Sequence, residues 1–232
     1  MGVQMPPNAM SGQVHTDSHH ANGAAQGAAV LFDVDGVLID SYAAYRRIWT
    51  RWALYRGLDP TIVWSHTHGR RPVDTIAVVA ASLDAEAEYR LVRDFMAEEG
   101  DAFPVYPDAA AVLHVLHAER WGVVTSGRAQ TVRQRLHAGG LPDPPVLVDS
   151  THVTRGKPHP EGYLLAAELL RTPTERCLVI EDAPAGVEAA RTAAMTVIGL
   201  TTTHSADELA HAHHVVSSLT DAKPLIQDWL RR

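Results

Sequence analysis

Asp33 and Asp35 stand one residue apart, with Val34 between them and Gly36 after them, at the end of the apolar run Ala28 to Phe32. Residues two apart in a strand point to the same side. The spacing therefore predicts two carboxylates projecting together from a strand's carboxyl end, the edge where open α/β sheets bind ligands. Two like charges that close repel unless a cation or a shared proton offsets them. The chemistry this suits is a magnesium-dependent reaction in which one carboxylate attacks and its neighbour moves a proton. The plainer reading is a strand that ends in an acidic turn, since Asp and Gly are ordinary turn residues.

Three further polar groups argue for the chemistry. Thr125-Ser126-Gly127 follows one predicted strand, Lys157 lies in the loop Arg155-Gly156-Lys157-Pro158 after another, and Glu181-Asp182 ends a third. Taken singly they read as a helix cap, a surface lysine and first-turn acids beside a helix dipole. Together they occupy equivalent places on one edge of a sheet, where randomly placed polar residues would scatter over both.

Phosphoryl transfer from a monoester needs what these groups supply: an in-line nucleophile, neutralised equatorial oxygens and a proton for the leaving alkoxide. Asp33 would attack phosphorus, and Asp35 would protonate the departing oxygen and then deprotonate the attacking water. Asp33 and Asp182, with the Asp35 carbonyl, would hold Mg2+, and Glu181 a water bound to it. Lys157 would pair with the phosphate and the nucleophile. Thr125, Ser126 and the backbone N–H groups from Gly127 onward would hold phosphate oxygens.

The elements that must position these residues alternate along the chain. After the first strand, Ser41 is placed to cap a helix running to Arg56, which Gly57 ends; Asp59-Pro60 opens a segment toward Trp64 and His66. Two more helices are predicted over 72–82 and 84–99. No strand pattern interrupts residues 43–103, which makes an all-helical insert of roughly sixty residues, too small for a robust independent domain and suited to act as a cap over Asp33. Strands are then predicted at 121–125, 145–148, 176–180, 195–200 and 213–216. Helices are predicted from Asp108 to Glu119 and over 129–138, 160–171, 182–193 and 222–230. This alternation predicts an α/β fold, a Rossmann-like parallel sheet with helices on both faces, its core formed by 28–42 and 104–232. Residues 1–27, rich in Gly, Ala, Ser and His without periodicity, are expected to form a disordered tail, with His15, His19 and His20 solvated.

Composition excludes several classes. A net charge of −7 argues against a nucleic-acid surface. No apolar run approaches a membrane span, and the N-terminus carries no signal-peptide pattern. The single cysteine, Cys177 in Cys-Leu-Val-Ile, forms no internal disulfide and fits a buried strand thiol in a reducing cytoplasm.

With these residues in view, the chain resembles the haloacid dehalogenase-like hydrolases, in the phosphatase branch whose helical cap follows the first strand. The matching pieces are Phe32 to Ser41, Val124 to Gly127, Arg155 to Pro160 and Glu181 to Val187. The resemblance implies magnesium, an aspartyl-phosphate and a mobile cap. An aspartate at position 35 is similar to phosphatases and phosphomutases rather than dehalogenases. Tyr45, where β-phosphoglucomutase-like mutases carry a histidine, counts against a mutase. The segment Ile48 to Ala53 and then His68-Gly69-Arg70-Arg71 is similar to sugar phosphatases and glycerol-3-phosphate phosphatases. The expected substrate is thus a small sugar or polyol phosphate, with His66, His68, Arg70 and Arg71 as candidate contacts, in a monomer or homodimer. The alternatives are a hexose-phosphate mutase and a catalytically silent binding protein of the same fold.

Overall fold

A computed structural model of the protein describes residues 27–100, 103–116 and 120–232. The expected tail, with His15, His19 and His20, lies outside the described residues apart from Gly27, as does the expected end of a helix at Glu119. Strand β1 (Ala29–Phe32) is the middle of a six-stranded, all-parallel sheet. On one side lie β2 (Trp121–Val124) and β3 (Val146–Val148); on the other lie β4 (Cys177–Glu181), β5 (Thr196–Leu200) and β6 (His214–Val216). The spatial order is β3-β2-β1-β4-β5-β6, so the chain reverses its direction of travel across the sheet between β1 and β4.

All four residues of β1 are buried, but to opposite faces. Val30 and Phe32 join one apolar cluster and Ala29 and Leu31 another, as the two-residue period of a strand requires. Each large side chain buried in this way contributes about 1.5–3 kcal/mol. The first face is covered by α5 (Ala109–Leu113), α6 (Ala129–Ala138) and α9 (Leu219–Leu230). The second is covered by α7 (Glu161–Leu169) and α8 (Pro184–Thr192).

Between β1 and α5 come four helices in succession: α1 (Tyr42–Tyr55), α2 (Pro60–Ser65), α3 (Pro72–Val79) and α4 (Ala85–Glu99). Their buried side chains, among them Ile48, Trp49, Trp52 and Val92, extend the first-face cluster rather than forming a core of their own. Glu88 of α4 ties α1 to α4 by accepting from Trp52 Nε1 at 3.0 Å and from Arg56 Nε and Nη2 at 2.7 and 2.6 Å.

Several boundaries differ from the sequence expectation. Asp59 and Asp84 do cap α2 and α4 through their side chains. Ser41 and Asp108 occupy cap positions without a capping bond. Asp108 instead accepts from the Thr220 amide and hydroxyl at 2.7 and 2.9 Å, pinning α5 to the start of α9. Helix α5 stops at Leu113 because Val115 and Leu116 turn to the tighter i−3 carbonyls of Val112 and Leu113. Helix α9 begins three residues before the expected 222, at Leu219, because Ser218 supplies the cap by accepting from the Asp221 amide.

Candidate active site

The reversal between β1 and β4 opens a crevice at the carboxyl edge. Phe32 pairs with Ile180, and the Asp33 amide donates to the Ile180 carbonyl at 3.0 Å. The next residues on each strand, Asp33 and Glu181, therefore emerge side by side with Asp182. One carboxylate oxygen from each of Asp33, Glu181 and Asp182 lies within 4.8 Å of the others, and all three residues are buried. Gly36 lets the β1 loop fold back here. Its φ is +85°, and a Cβ on it would stand 2.1 Å from Asp182 Oδ2.

Lys157 is the cation of this cluster. Its Nζ donates to Asp33 Oδ1 at 2.6 Å, to Glu181 Oε1 at 2.7 Å and to the Val124 carbonyl at 3.1 Å, which engages all three of its protons. Burial pulls its pKa down, but the two carboxylates outweigh burial and hold the ammonium above its usual range. Glu181 also accepts from the Tyr163 hydroxyl at 2.8 Å and, through Oε2, from the amides of Asp182 and Ala183 at 3.0 and 3.3 Å. Both Glu181 oxygens are thus engaged by the protein, holding Lys157 and the β4 loop in place.

The other two acids each keep an oxygen open. Asp33 Oδ2 and Asp182 Oδ1 make no hydrogen bond among the described residues, whereas Asp182 Oδ2 accepts from Thr203 Oγ1. Burial, then Glu181 and Asp35, push Asp33 up to about 7 against the pull of Lys157. Burial, Glu181 and Asp33 also raise Asp182 well above the usual carboxylate range. Three buried acids around one lysine leave a deficit of positive charge, and the open oxygens are hard donors. This donor set fits Mg2+ on Asp33 and Asp182.

Asp35 lies just outside that cluster. Its side chain is 28% exposed, but among the described residues Oδ1 is buried without a hydrogen-bond partner, and the nearest cation is Arg135 Nη1 at 3.9 Å. Burial raises its pKa, opposed by Arg135, Ser41 and Lys157. This favours a carboxyl that carries a proton. Thr125 is buried, and its hydroxyl oxygen accepts from the Gly127 amide at 3.0 Å, shaping the turn that starts α6. Ser126 Oγ donates to the Gly69 carbonyl at 2.9 Å, a bond between the sheet edge and the segment linking α2 and α3.

A cavity of about 730 Å³ lies between the sheet edge and helices α1–α4. Asp33, Asp35 and Asp182 contribute to it from the sheet edge, and Trp64, His68 and Arg70 from the helical segment. His66 and Arg71 are not among its lining residues. His66 Nδ1 sits 2.9 Å from the Ile62 carbonyl of its own helix. Arg71 forms a two-point pair with Asp74 at 2.7 and 2.8 Å and donates to the carbonyls of Val153 and Thr154, fastening α3 to the loop that carries Lys157.

Four residues of the site were not legible in the sequence: Arg135, Tyr163, Thr203 and His204. Arg135 and Tyr163 sit within helices, where spacing gives no sign of their role. Thr203 and His204 belong to the β5 loop, where the polar run Thr201 to Ser205 was the only signal. His204 Nδ1 is 2.9 Å from the Asp182 carbonyl, and its ring meets that of His68 at 4.6 Å.

Residues 28–194 match the haloacid dehalogenase-like hydrolase family. The chain is 37% identical over 194 residues to hexitol phosphatase A of Escherichia coli, covering 82% of this chain and 90% of that protein. It is also 37% identical over 204 residues to validoxylamine A 7'-phosphate phosphatase of Streptomyces hygroscopicus, covering 83% and 94%. Among solved structures, a hydrolase from Pseudomonas syringae superposes with a TM-score of 0.77 at 24% identity, over 87% of this chain and 98% of that one.

Proposed function

This chain belongs to the haloacid dehalogenase-like hydrolase family, and from that premise we propose that it hydrolyses phosphomonoesters of small sugars or polyols through an aspartyl-phosphate on Asp33. The observation that carries this reading is the state of Asp33. One oxygen is clamped by Lys157 at 2.6 Å and the other is open, with Asp35 beside it.

In the first step one carboxylate oxygen of Asp33 forms a bond to phosphorus as the bond to the sugar oxygen breaks, its electron pair leaving with that oxygen, and the other Asp33 oxygen is left for the cation. Asp35 gives this oxygen its proton. In the second step the resulting Asp35 carboxylate takes a proton from water, whose oxygen displaces Asp33 from phosphorus and regenerates both groups. Lys157 holds the nucleophile's direction and offsets negative charge, while Thr125, backbone N–H groups leading into α6 and, once its bond to Gly69 is released, the Ser126 hydroxyl receive phosphate oxygens. Mg2+ on Asp33 and Asp182, when bound, supplies neutralisation of the phosphoryl charge. Glu181 acts on Lys157 and the β4 loop.

Residues 43–103 serve as a cap that covers the phosphoryl site. His68 and Arg70, with Trp64, are the cap side chains suited to meet the sugar or polyol; His66 and Arg71 are left out because their polar atoms face the protein. The site is built from one chain, so a monomer or a homodimer is equally complete, and the buried thiol of Cys177 suits a reducing cytoplasm. No helix of the described residues is long and apolar enough to cross a membrane.

The relatives' phosphatase names favour water as acceptor over the second sugar hydroxyl of a mutase. The intact set of Asp33, Asp35, Lys157 and Asp182 speaks against a silent binding protein. Phosphate release should be assayed over hexitol, hexose, glycerol and nucleotide phosphates with magnesium. Turnover of polyol or hexose phosphates is expected. Preference for nucleotides, or transfer to sugar with no free phosphate, would overturn the reading.

A further inference from the structure

Asp35 Oδ1 is a buried carboxylate oxygen with no hydrogen bond among the described residues, a costly arrangement unless a charge stands nearby. Arg135 Nη1 is 3.9 Å away, within ion-pair range but beyond hydrogen-bond range. Because Oδ1 is shielded from solvent, the exposed part of the Asp35 side chain lies on Oδ2 and the adjoining carbons.

Arg135 is itself over-determined. It comes from α6, its side chain is 13% exposed, and the same Nη1 donates to the Tyr45 hydroxyl at 2.9 Å. Its guanidinium carbon lies 3.4 Å from the centre of the Phe103 ring and 5.6 Å from that of Tyr45. The Tyr45 and Phe103 rings meet edge-on at 5.6 Å. Two aromatic rings and a hydroxyl thus fix a planar cation within ion-pair range of Asp35 Oδ1.

From this geometry we infer that Arg135 is the positioning residue of Asp35: it holds Oδ1 at ion-pair range without hydrogen-bonding it and so turns Oδ2, the oxygen on the open side, toward the leaving group. Tyr45 fixes Arg135 in turn. The inference rests on the phosphatase reading and assigns to these two residues the orientation of its acid.

The test exploits leaving groups. Departure of an alkoxide needs the Asp35 proton as the phosphorus–oxygen bond breaks, whereas nitrophenolate leaves without one. For a reaction through a covalent intermediate, kcat/KM reports steps up to phosphoryl transfer. Arg135→Ala should lower kcat/KM for glycerol phosphate by about 10²-fold, on the scale of general acid catalysis, and lower that for p-nitrophenyl phosphate several-fold less. Arg135→Lys, which keeps the charge, should recover part of the alkyl-to-aryl ratio. Tyr45→Phe, which keeps the ring, should shift the ratio in the same direction as Arg135→Ala but less. Equal losses on both substrates in folded Arg135 and Tyr45 variants would overturn the inference alone. A wild-type protein that hydrolyses neither substrate would overturn the phosphatase reading and the inference with it.

Discussion

The Lys157 ammonium and Glu181 Oε1 lie 2.7 Å apart, both shielded from water, so protein groups and not solvent must meet their charges. Breaking a buried pair by removing one partner typically costs about 3–5 kcal/mol. Glu181→Ala would also leave the Tyr163 hydroxyl and two amides without their acceptor. Urea unfolding of this variant should show a loss of that order, and Glu181→Gln, which keeps the shape and an acceptor, a smaller one. A Glu181→Ala protein as stable as wild type would show that the contact contributes nothing.

Removing the nucleophile should separate chemistry from folding. Asp33→Asn keeps the volume and leaves Lys157 paired with Glu181, so far-UV circular dichroism should match wild type. Phosphate release should fall by on the order of 10⁴-fold or more, the scale seen when a nucleophile is lost. Near-full activity would reassign the attacking group.

Magnesium should act on stability as well as on rate. Asp33 and Asp182 are both held above the usual carboxylate range by burial and then by Glu181, and a cation that offsets them binds only the folded state. At a hundred times its dissociation constant, one such ligand adds about 2.7 kcal/mol. A thermal melt should therefore rise with added magnesium and fall with chelator, and Asp182→Asn should flatten the response. A wild-type melting temperature indifferent to magnesium would remove Asp33 and Asp182 as its seat.

His68 should make the fold acid-sensitive. Burial and then His204 pull it down to about 4, with Arg46 adding to this and Glu208 opposing. Between 6.5, its ordinary value, and about 4 the unfolded chain binds a proton that the folded one refuses, so stability rises with pH across that window. Urea midpoints at pH 7, 5.5 and 4.5 should decline more steeply in wild type than in His68→Gln. That variant starts lower because the ring packs on Trp64 at 4.5 Å. Parallel slopes would show that His68 titrates normally.

The parallel sheet and the convergence at its edge were legible because they rest on local rules. Alternating strands and helices return Thr125, Lys157 and Asp182 to the edge where Asp33 follows β1; Asp35 lies beyond the strand's end at Phe32, so it reaches the cavity through the loop before Gly36 and not through a strand's two-residue period. Less legible was how the charges divide among partners. Glu181 reads as an acid beside a metal, yet Lys157, Tyr163 and two amides from separate parts of the chain engage both its oxygens. In the segment His66 to Arg71, four candidates look alike in sequence, and their packing turns two toward the cavity and two away from it.

Sequence by itself determined which groups are candidates to react, the strand ends that carry them and the helices that follow, since each depends on residues a few positions apart. Only the tertiary structure decided that Arg135 meets Tyr45, 90 positions away, and through it faces Asp35. No periodicity encodes such a meeting. It exists because the buried side chains of α6 and α1 belong to one apolar cluster, which brings Arg135 of α6 to Tyr45 of α1 and within 3.9 Å of Asp35.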